Sequence, residues 1–363
     1  MTRVWNFSAG PATLPLEVLE NVQENLVDYH GQGLSVLEMS HRSDSFQEVI
    51  EGAEALIREL LDVPSNYQVL FMQGGATLQF SALPLNLLKN GKAGYLIGGS
   101  WGEKAYKEAD KLTAKATILA SSKDDQYQKL PVLTDFNSSD YDYIHITSNN
   151  TIEGTQYRKY PDAKSPNLVA DMSSDFLSHP VDVSRFALIY AGAQKNVGPA
   201  GVSVVIIRDD LLEDNGQVIP TYLDYKTHAS KHSLYNTPPT FSIYVMRLVL
   251  EWIKNQGGLA AIDQINQRKA AKLYQAIDQS EIFINPVLPS DRSLMNIPFT
   301  SQDADIDQEF IQAAKEKGFI NLKGHRSVGG MRASIYNAFP EAGVEALVEF
   351  MKDFESEVKH EKN

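Results

Sequence analysis

One lysine stands in a stretch otherwise made of small and neutral residues, Ala191-Gly192-Ala193-Gln194-Lys195-Asn196-Val197-Gly198-Pro199-Ala200-Gly201. Apolar runs flank it at 187–190 and 202–207. An ammonium between two buried strands costs free energy unless a partner holds it or chemistry uses it. So placed, Lys195 has the character of an amine kept for a Schiff base with an aldehyde cofactor. The plainer alternative is a surface-loop lysine. Asp171 ends a second apolar stretch, 167–170, and lies 24 residues before Lys195 (195 − 171). That spacing leaves room for strand, loop, strand and loop, with both residues at strand ends of one sheet, where open α/β sheets bind their ligands. Pyridoxal phosphate needs such a pair: a lysine to carry it, and a carboxylate to keep its pyridine nitrogen protonated. Taken alone, Asp171 reads as readily as a turn or helix-cap aspartate.

Three further segments have matching chemistry. Gln73-Gly74-Gly75-Ala76-Thr77 ends a strand and opens a helix, which offers backbone N–H groups to an anion such as a cofactor phosphate. Trp101, in Gly98-Gly99-Ser100-Trp101-Gly102, brings a flat ring to a strand end, where it suits stacking on a pyridine. Thr151, in Asn149-Asn150-Thr151-Ile152-Glu153-Gly154, offers a hydroxyl for the ring's phenolic oxygen. Each of these is equally compatible with a cap, core or turn role when read singly.

Together with other stretches they form an ordered series along nearly the whole chain. These are Asn6-Phe7-Ser8-Ala9-Gly10-Pro11, Glu38-Met39-Ser40-His41-Arg42, Tyr235-Asn236-Thr237-Pro238-Pro239, Lys323-Gly324-His325-Arg326 and Gly329-Gly330-Met331-Arg332-Ala333-Ser334. In this series the sequence resembles the phosphoserine aminotransferases, class-V pyridoxal 5'-phosphate enzymes of fold type I. The resemblance implies phosphate contacts from Ala76, Thr77 and Gln194. It implies that Asn236 and Thr237 reach the cofactor phosphate of a second copy, and hence a homodimer with shared active sites. It implies small-molecule substrates: L-glutamate and 3-phosphohydroxypyruvate, giving 2-oxoglutarate and O-phospho-L-serine by a ping-pong transfer, with 4-phosphohydroxy-L-threonine formation as a second use. Arginine's planar fork suits the anions involved. Arg332 is the candidate for the α-carboxylate. His325 and Arg326, with His41 and Arg42 from the other copy, are the candidates for the distal carboxylate or phosphate. Ser8-Ala9-Gly10 closes over the substrate, Ala9 acting through its backbone. Two other readings stand beside this one: another fold-type-I aminotransferase or lyase acting on a non-phosphorylated acid, and a non-catalytic binding module on the same fold.

Composition sets the limits. The chain has 363 residues, 43% hydrophobic, which is enough for two cores. It has no cysteine, which excludes disulfides, thiolate metal sites and the thiol chemistry of cysteine desulfurases. The net charge of −13 counts against nucleic acid as a partner. Nothing near the N-terminus reads as a secretory signal, and no apolar run approaches the ~18 residues of a membrane span, so no membrane contact and a cytoplasmic location are expected. His228 and His232 share helical spacing, but lack a metalloprotease glutamate between them, and no metal is expected.

The elements that must position these residues alternate. Strands are expected at 67–72, 94–98, 117–120, 141–147, 167–172, 188–191 and 201–208. Helices are expected at 15–29, 45–61, 77–88 and 102–112. This predicts an α/β large domain with a mostly parallel seven-stranded sheet covered by helices on both faces, the strand from 201 running antiparallel. Beyond it, helices at 242–255, 259–279, near 307–317 and 341–358, with a strand near 294–299, read as a smaller α+β domain. The expected division is 15–256 for the large domain and 1–14 with 257–363 for the small one. The resemblance supplies the N-terminal part of the latter.

Overall fold

The computed structural model describes residues 3–89, 91–133, 138–161, 167–213 and 216–361. In chain order the strands are β1 (Trp5–Asn6), β2 (Tyr67–Met72), β3 (Lys92–Ile97), β4 (Ala116–Ser121), β5 (Tyr141–Thr147), β6 (Asn149–Asn150), β7 (Thr155–Gln156), β8 (Leu168–Asp171), β9 (Leu188–Gly192), β10 (Ser203–Arg208), β11 (Asn296–Phe299), β12 (Phe319–Ile320) and β13 (Met331–Ser334). The α-helices are α1 (Leu16–Asn25), α2 (Asp44–Leu61), α3 (Gly75–Leu87), α4 (Ser100–Leu112), α5 (Tyr225–Ser230), α6 (Thr240–Asn255), α7 (Gly258–Gln279), α8 (Ala304–Glu316) and α9 (Glu341–Glu361).

Seven strands form one sheet in the order β2-β10-β9-β8-β5-β3-β4. All its neighbouring pairs are parallel except those of β10, which runs antiparallel to both β9 and β2. The short return 193–202 forces that reversal, since a parallel crossover needs a dozen or more residues. Apolar runs without polar alternation are explained by burial on both faces. On one face Ile144, Ile146, Ile189, Val204 and Ile206 pack with Val49, Ile57, Met246 and Leu250 of α2 and α6. On the other, Leu70, Tyr95, Tyr143, Leu188 and Val205 pack with Phe80 and Leu83 of α3 and Ala105 of α4.

A separate core gathers Phe7 with Leu273, Ile277, Ile297, Phe299, Phe310, Val344, Leu347, Met351 and Phe354. Here β11 pairs with β13, and β1 pairs with β12. Helix α7 passes through both regions: Leu259 and Ile262 lie in the first core, Leu273 and Ile277 in the last. Among the described residues no helix is long and apolar enough to cross a membrane.

Among the helix ends that depart from the expected bounds, two have a visible side-chain cause. α1 stops at Asn25, short of the expected 29, because the Asn25 side chain takes the His30 N–H at 3.2 Å and turns the chain. α8 starts earlier than the expected 307, because the Asp303 side chain caps the N–H groups of Asp305 and Ile306.

Candidate active site

The parallel strands deliver their C-terminal ends to one edge of the sheet. β2 leads to Ala76 and Thr77, β3 to Trp101, β5 to Thr151, β8 to Asp171 and β9 to Lys195.

Lys195 is half-buried, and its Nζ donates to Thr151 Oγ1 at 2.7 Å. The same Nζ lies 5.6 Å from the centre of the Trp101 ring. Burial pushes its pKa down to about 8, with the positive charge of Arg332 adding to that, while Asp171 and Asp175 pull the other way. Asp171 is buried, and its Oδ1 accepts the Ser173 N–H at 2.9 Å. Burial raises its pKa, opposed chiefly by the Lys195 charge.

Residues 9–12 cover the lysine. A Cβ built on Gly10 would stand 3.4 Å from Lys195 Cγ, so the Gly10 backbone passes close over the amine's stem. Ala12 donates its N–H to the Gln194 carbonyl at 2.9 Å. The Tyr336 hydroxyl holds the Ala9 carbonyl at 2.7 Å.

Arg332, on β13, donates from Nη1 to the Thr151 carbonyl at 3.2 Å, and its buried Nε has no protein partner among the described residues. Burial holds its pKa below the usual arginine value. His325 bonds Ser327 Oγ through Nδ1 at 2.7 Å. Its pKa is lowered by burial first, then by Arg332, Arg326 and Lys104, which places it among cations. Arg326 itself is exposed.

α3 opens on Gly75 after the cap residue Gly74, both at positive φ (+90° for Gly74, +63° for Gly75), and its first turn has no side-chain cap. Ala76 is half-buried there and Thr77 is exposed. Such an uncapped turn leaves N–H groups free for an anion. Gln194 stands half-buried beside Lys195, with its Oε1 2.8 Å from where a Gly192 Cβ would be.

Four expected residues are not brought to Lys195 within this chain. His41 and Arg42 lie just before α2, half-buried and exposed respectively, and the Arg42 backbone N–H donates to Ser40 Oγ at 3.2 Å. Asn236 and Thr237 are exposed, and the Thr237 carbonyl accepts from Gln73 Nε2 at 3.0 Å. His228 is buried with Nε2 2.8 Å from the Tyr222 carbonyl, whereas His232 is exposed, so the two do not converge.

Several groups at the site escape a sequence reading. Asp175 is buried, accepts from Ser148 Oγ and from Gln156 Nε2 (3.1 Å), and is raised to about 7 by burial. Tyr190 sits opposite Asp171 in the β8–β9 register, and its hydroxyl is 2.9 Å from His145 Nε2. Lys104 Nζ stands 4.1 Å from the Trp101 ring centre. Glu153 is buried two residues beyond Thr151. The available signals were modest: a second acid four residues after Asp171, and an acid inside the Thr151 turn.

Residues 4–347 match the family model described as aminotransferase class-V. A phosphoserine aminotransferase of Bacillus cereus is 55% identical over 98% of this chain and 99% of its own. A solved phosphoserine aminotransferase, studied for radiation damage of its Schiff base, superposes with a TM-score of 0.95 at 50% identity, covering 98% of this chain and 100% of its own. The PLP-bound phosphoserine aminotransferase from Trichomonas vaginalis superposes with a TM-score of 0.88 at 39% identity, covering 96% of this chain and 100% of its own.

Proposed function

The chain belongs to the class-V aminotransferases and, within them, to the phosphoserine aminotransferases, and from that premise we propose how its residues carry the reaction. It transfers an amino group from L-glutamate to 3-phosphohydroxypyruvate, giving 2-oxoglutarate and O-phospho-L-serine. The cofactor is pyridoxal 5'-phosphate.

The residues at the sheet edge fit that group. An uncapped, glycine-opened helix turn suits its phosphate, a buried carboxylate suits its ring nitrogen, and an indole stands beside an amine of lowered pKa. Lys195 would hold the aldehyde carbon, Asp171 the ring nitrogen, Trp101 the ring face and Thr151 the phenolic oxygen. Ala76, Thr77 and Gln194 would hold the phosphate. When bound, the cofactor supplies an electron-withdrawing ring that stabilises negative charge at the substrate's α-carbon.

The protein does the rest. Lys195 takes the proton from glutamate's α-carbon, and in the second half-reaction returns one to the α-carbon of the new amino acid. With a pKa near 8 it is a usable base close to neutrality, which an ordinary lysine is not. Arg332 clamps the α-carboxylate. His325 and Arg326 meet the distal phosphate, which carries nearly two charges. Residues 9–12 exclude water from above. Asn236, Thr237 and Arg42 are exposed here and His41 is half-buried; these four act on the site of a second copy, so the working unit is a homodimer.

We place the domains at 15–256, and at 1–14 with 257–363. The packing of Phe7 with α7 and α9 residues, and of Val18 in the first core, supports this, with α7 shared at the boundary. The terminal residues 1, 2, 362 and 363 of this division lie outside the described residues.

One observation carries the functional reading. Thr151 takes Lys195 through its hydroxyl and Arg332 through its carbonyl. The amine that works on the α-carbon and the guanidinium for the α-carboxylate are thereby fixed by two ends of one residue.

The test is kcat/KM with 3-phosphohydroxypyruvate and with hydroxypyruvate. The phosphorylated acid should be preferred. Losing a hydrogen bond to a charged group costs about 1.5–3 kcal/mol, so Arg326→Leu should lose at least about tenfold on the phosphorylated acid and far less on the other. Arg332→Leu should hurt both. Equal losses on the two acids in Arg326→Leu would favour a broader aminotransferase.

A further inference from the structure

We propose that Glu153 is a positioning residue of the reaction: its buried carboxylate fastens the first turn of α4 and so fixes where Trp101 stands beside Lys195. The inference deepens the reading above, resting on Trp101 as the residue that faces the cofactor ring.

Glu153 lies in the turn between β6 and β7 and is 6% exposed. Its Oε1 accepts two bonds from Ser100, from the backbone N–H at 2.8 Å and from Oγ at 2.5 Å. Ser100 is the first residue of α4, and the cap position before it is Gly99, which has no side chain to offer. A helix start leaves its first N–H groups without partners and carries partial positive charge. At α4 a carboxylate from a turn 53 residues further along the chain supplies both the acceptor and the charge. Trp101 is the next residue, so the indole hangs directly from the turn that Glu153 holds.

The local glycines serve this approach. A Cβ on Gly99 would stand 2.5 Å from Glu153 Oε2 and 2.7 Å from Asn150 Oδ1. No residue but glycine lets the turn come so close. Glu153 Oε2 meanwhile has no partner among the described residues, though it is buried. An unpaired buried oxygen is destabilising, a cost set against the two bonds that Oε1 accepts from Ser100.

The turn is also the junction of the site. Its Thr151 holds Lys195 and Arg332. Its Gly154, at φ +80°, leaves no room for a side chain, since a Cβ there would meet Pro298 of β11 at 2.3 Å. The Gly154 carbonyl accepts from Ser293 N at 2.8 Å. Glu153 is the member of this junction that reaches the aromatic wall.

The chain has three tryptophans, Trp5, Trp101 and Trp252. In a Trp5→Phe, Trp252→Phe background Trp101 is the sole indole, and its acrylamide quenching reports how firmly it is held. The full-length protein is measured with and without pyridoxal phosphate. Glu153→Ala should raise the quenching constant at least twofold in both forms. Glu153→Gln, which keeps an acceptor for Ser100, should stay near the parent. Ser100→Ala, which removes one of the two bonds, should fall between them, and it carries the test if Glu153→Ala does not fold. Parent-like quenching in folded Glu153→Ala, or in Ser100→Ala where that variant stands in, overturns the proposal. Raised quenching with unchanged turnover would instead leave the positioning intact as geometry and overturn the role of Trp101 in the reaction.

Discussion

Lys195 is an amine whose surroundings have already done part of its chemistry. Burial and Arg332 push the proton off, and Asp171 and Asp175 hold it on. The signs give an ordered prediction for the protein stripped of cofactor. Acylation of Lys195 by a small reagent, followed by peptide mass spectrometry across pH, should rise with a midpoint near 8. Asp171→Asn removes a charge that favours the ammonium, so the midpoint should fall. Arg332→Leu removes one that opposes it, so the midpoint should rise. A midpoint in the ordinary lysine range, or shifts of the opposite sign, would contradict the electrostatics described here. Lys195, Asp171, Trp101 and Thr151 were legible in the sequence because each stands at the end of an apolar run, three of them beside small residues or glycines that announce a turn. Glu153, Asp175 and His145 were not. Their parts depend on Ser100, Ser148 and Tyr190, at separations of 53, 27 and 45 residues, and no local pattern encodes such meetings.

At the scale of elements, the segment after β13 shows how the smaller core is tied to the lysine loop. Lys269 of α7 is fully buried, and its Nζ donates to the carbonyls of Ile335 (3.0 Å), Tyr336 (2.6 Å) and Phe339 (3.2 Å). Asn337 in the same segment donates its N–H to Asn196 Oδ1 at 2.9 Å, next to Lys195. Lys269→Met keeps the stem and removes the donor. Leaving a buried acceptor unpaired costs about 1–3 kcal/mol, so urea unfolding should show a loss of at least that size. A variant as stable as the parent would mean that the carbonyls find other partners. The helix α7 was legible from its apolar spacing, and so was the stripe of Val344, Leu347, Met351 and Phe354 on α9. The lysine inside the α7 face was not, because periodicity marks which face is buried and says nothing about a cation satisfied by a distant carbonyl cluster. The reversed β10 was legible, since a short connection leaves no room for a crossover.

At the scale of the molecule, the exposed apolar residues concentrate around α1 and the segment after it: Leu16, Val27 and Leu37 are 49%, 80% and 58% exposed, and Arg42 follows close behind. Exposed apolar side chains in this segment would gain from burial against a second copy. If Arg42 works across that boundary, Arg42→Ala and Lys195→Ala chains should each be nearly inactive alone. Mixed and allowed to exchange, they form hybrid dimers with one doubly damaged site and one intact site. Activity should recover to roughly a quarter of the parent when exchange is random. No recovery despite exchange, verified by mass, would put Arg42 in the site of its own chain. Length and composition leave room for two cores, and the alternation of strands and helices made the α/β class legible, but neither indicates which surface faces another copy.

The covering of Lys195 also has a place in time. β1 pairs with β12, and Asn6 Oδ1 takes the Asn321 amide at 2.7 Å across 315 residues of chain. Tyr336, which holds Ala9, comes later still. During synthesis the N-terminal segment emerges first, yet it has no strand to pair with until residues 319–320 have followed. Pairings this distant along the chain are the slow ones to form. This stretch is therefore seated long after it is made, and the reactive amine is roofed only once residues 319–336 have been translated. A nascent chain that halts before β12 would carry all seven strands of the large sheet and an open lysine.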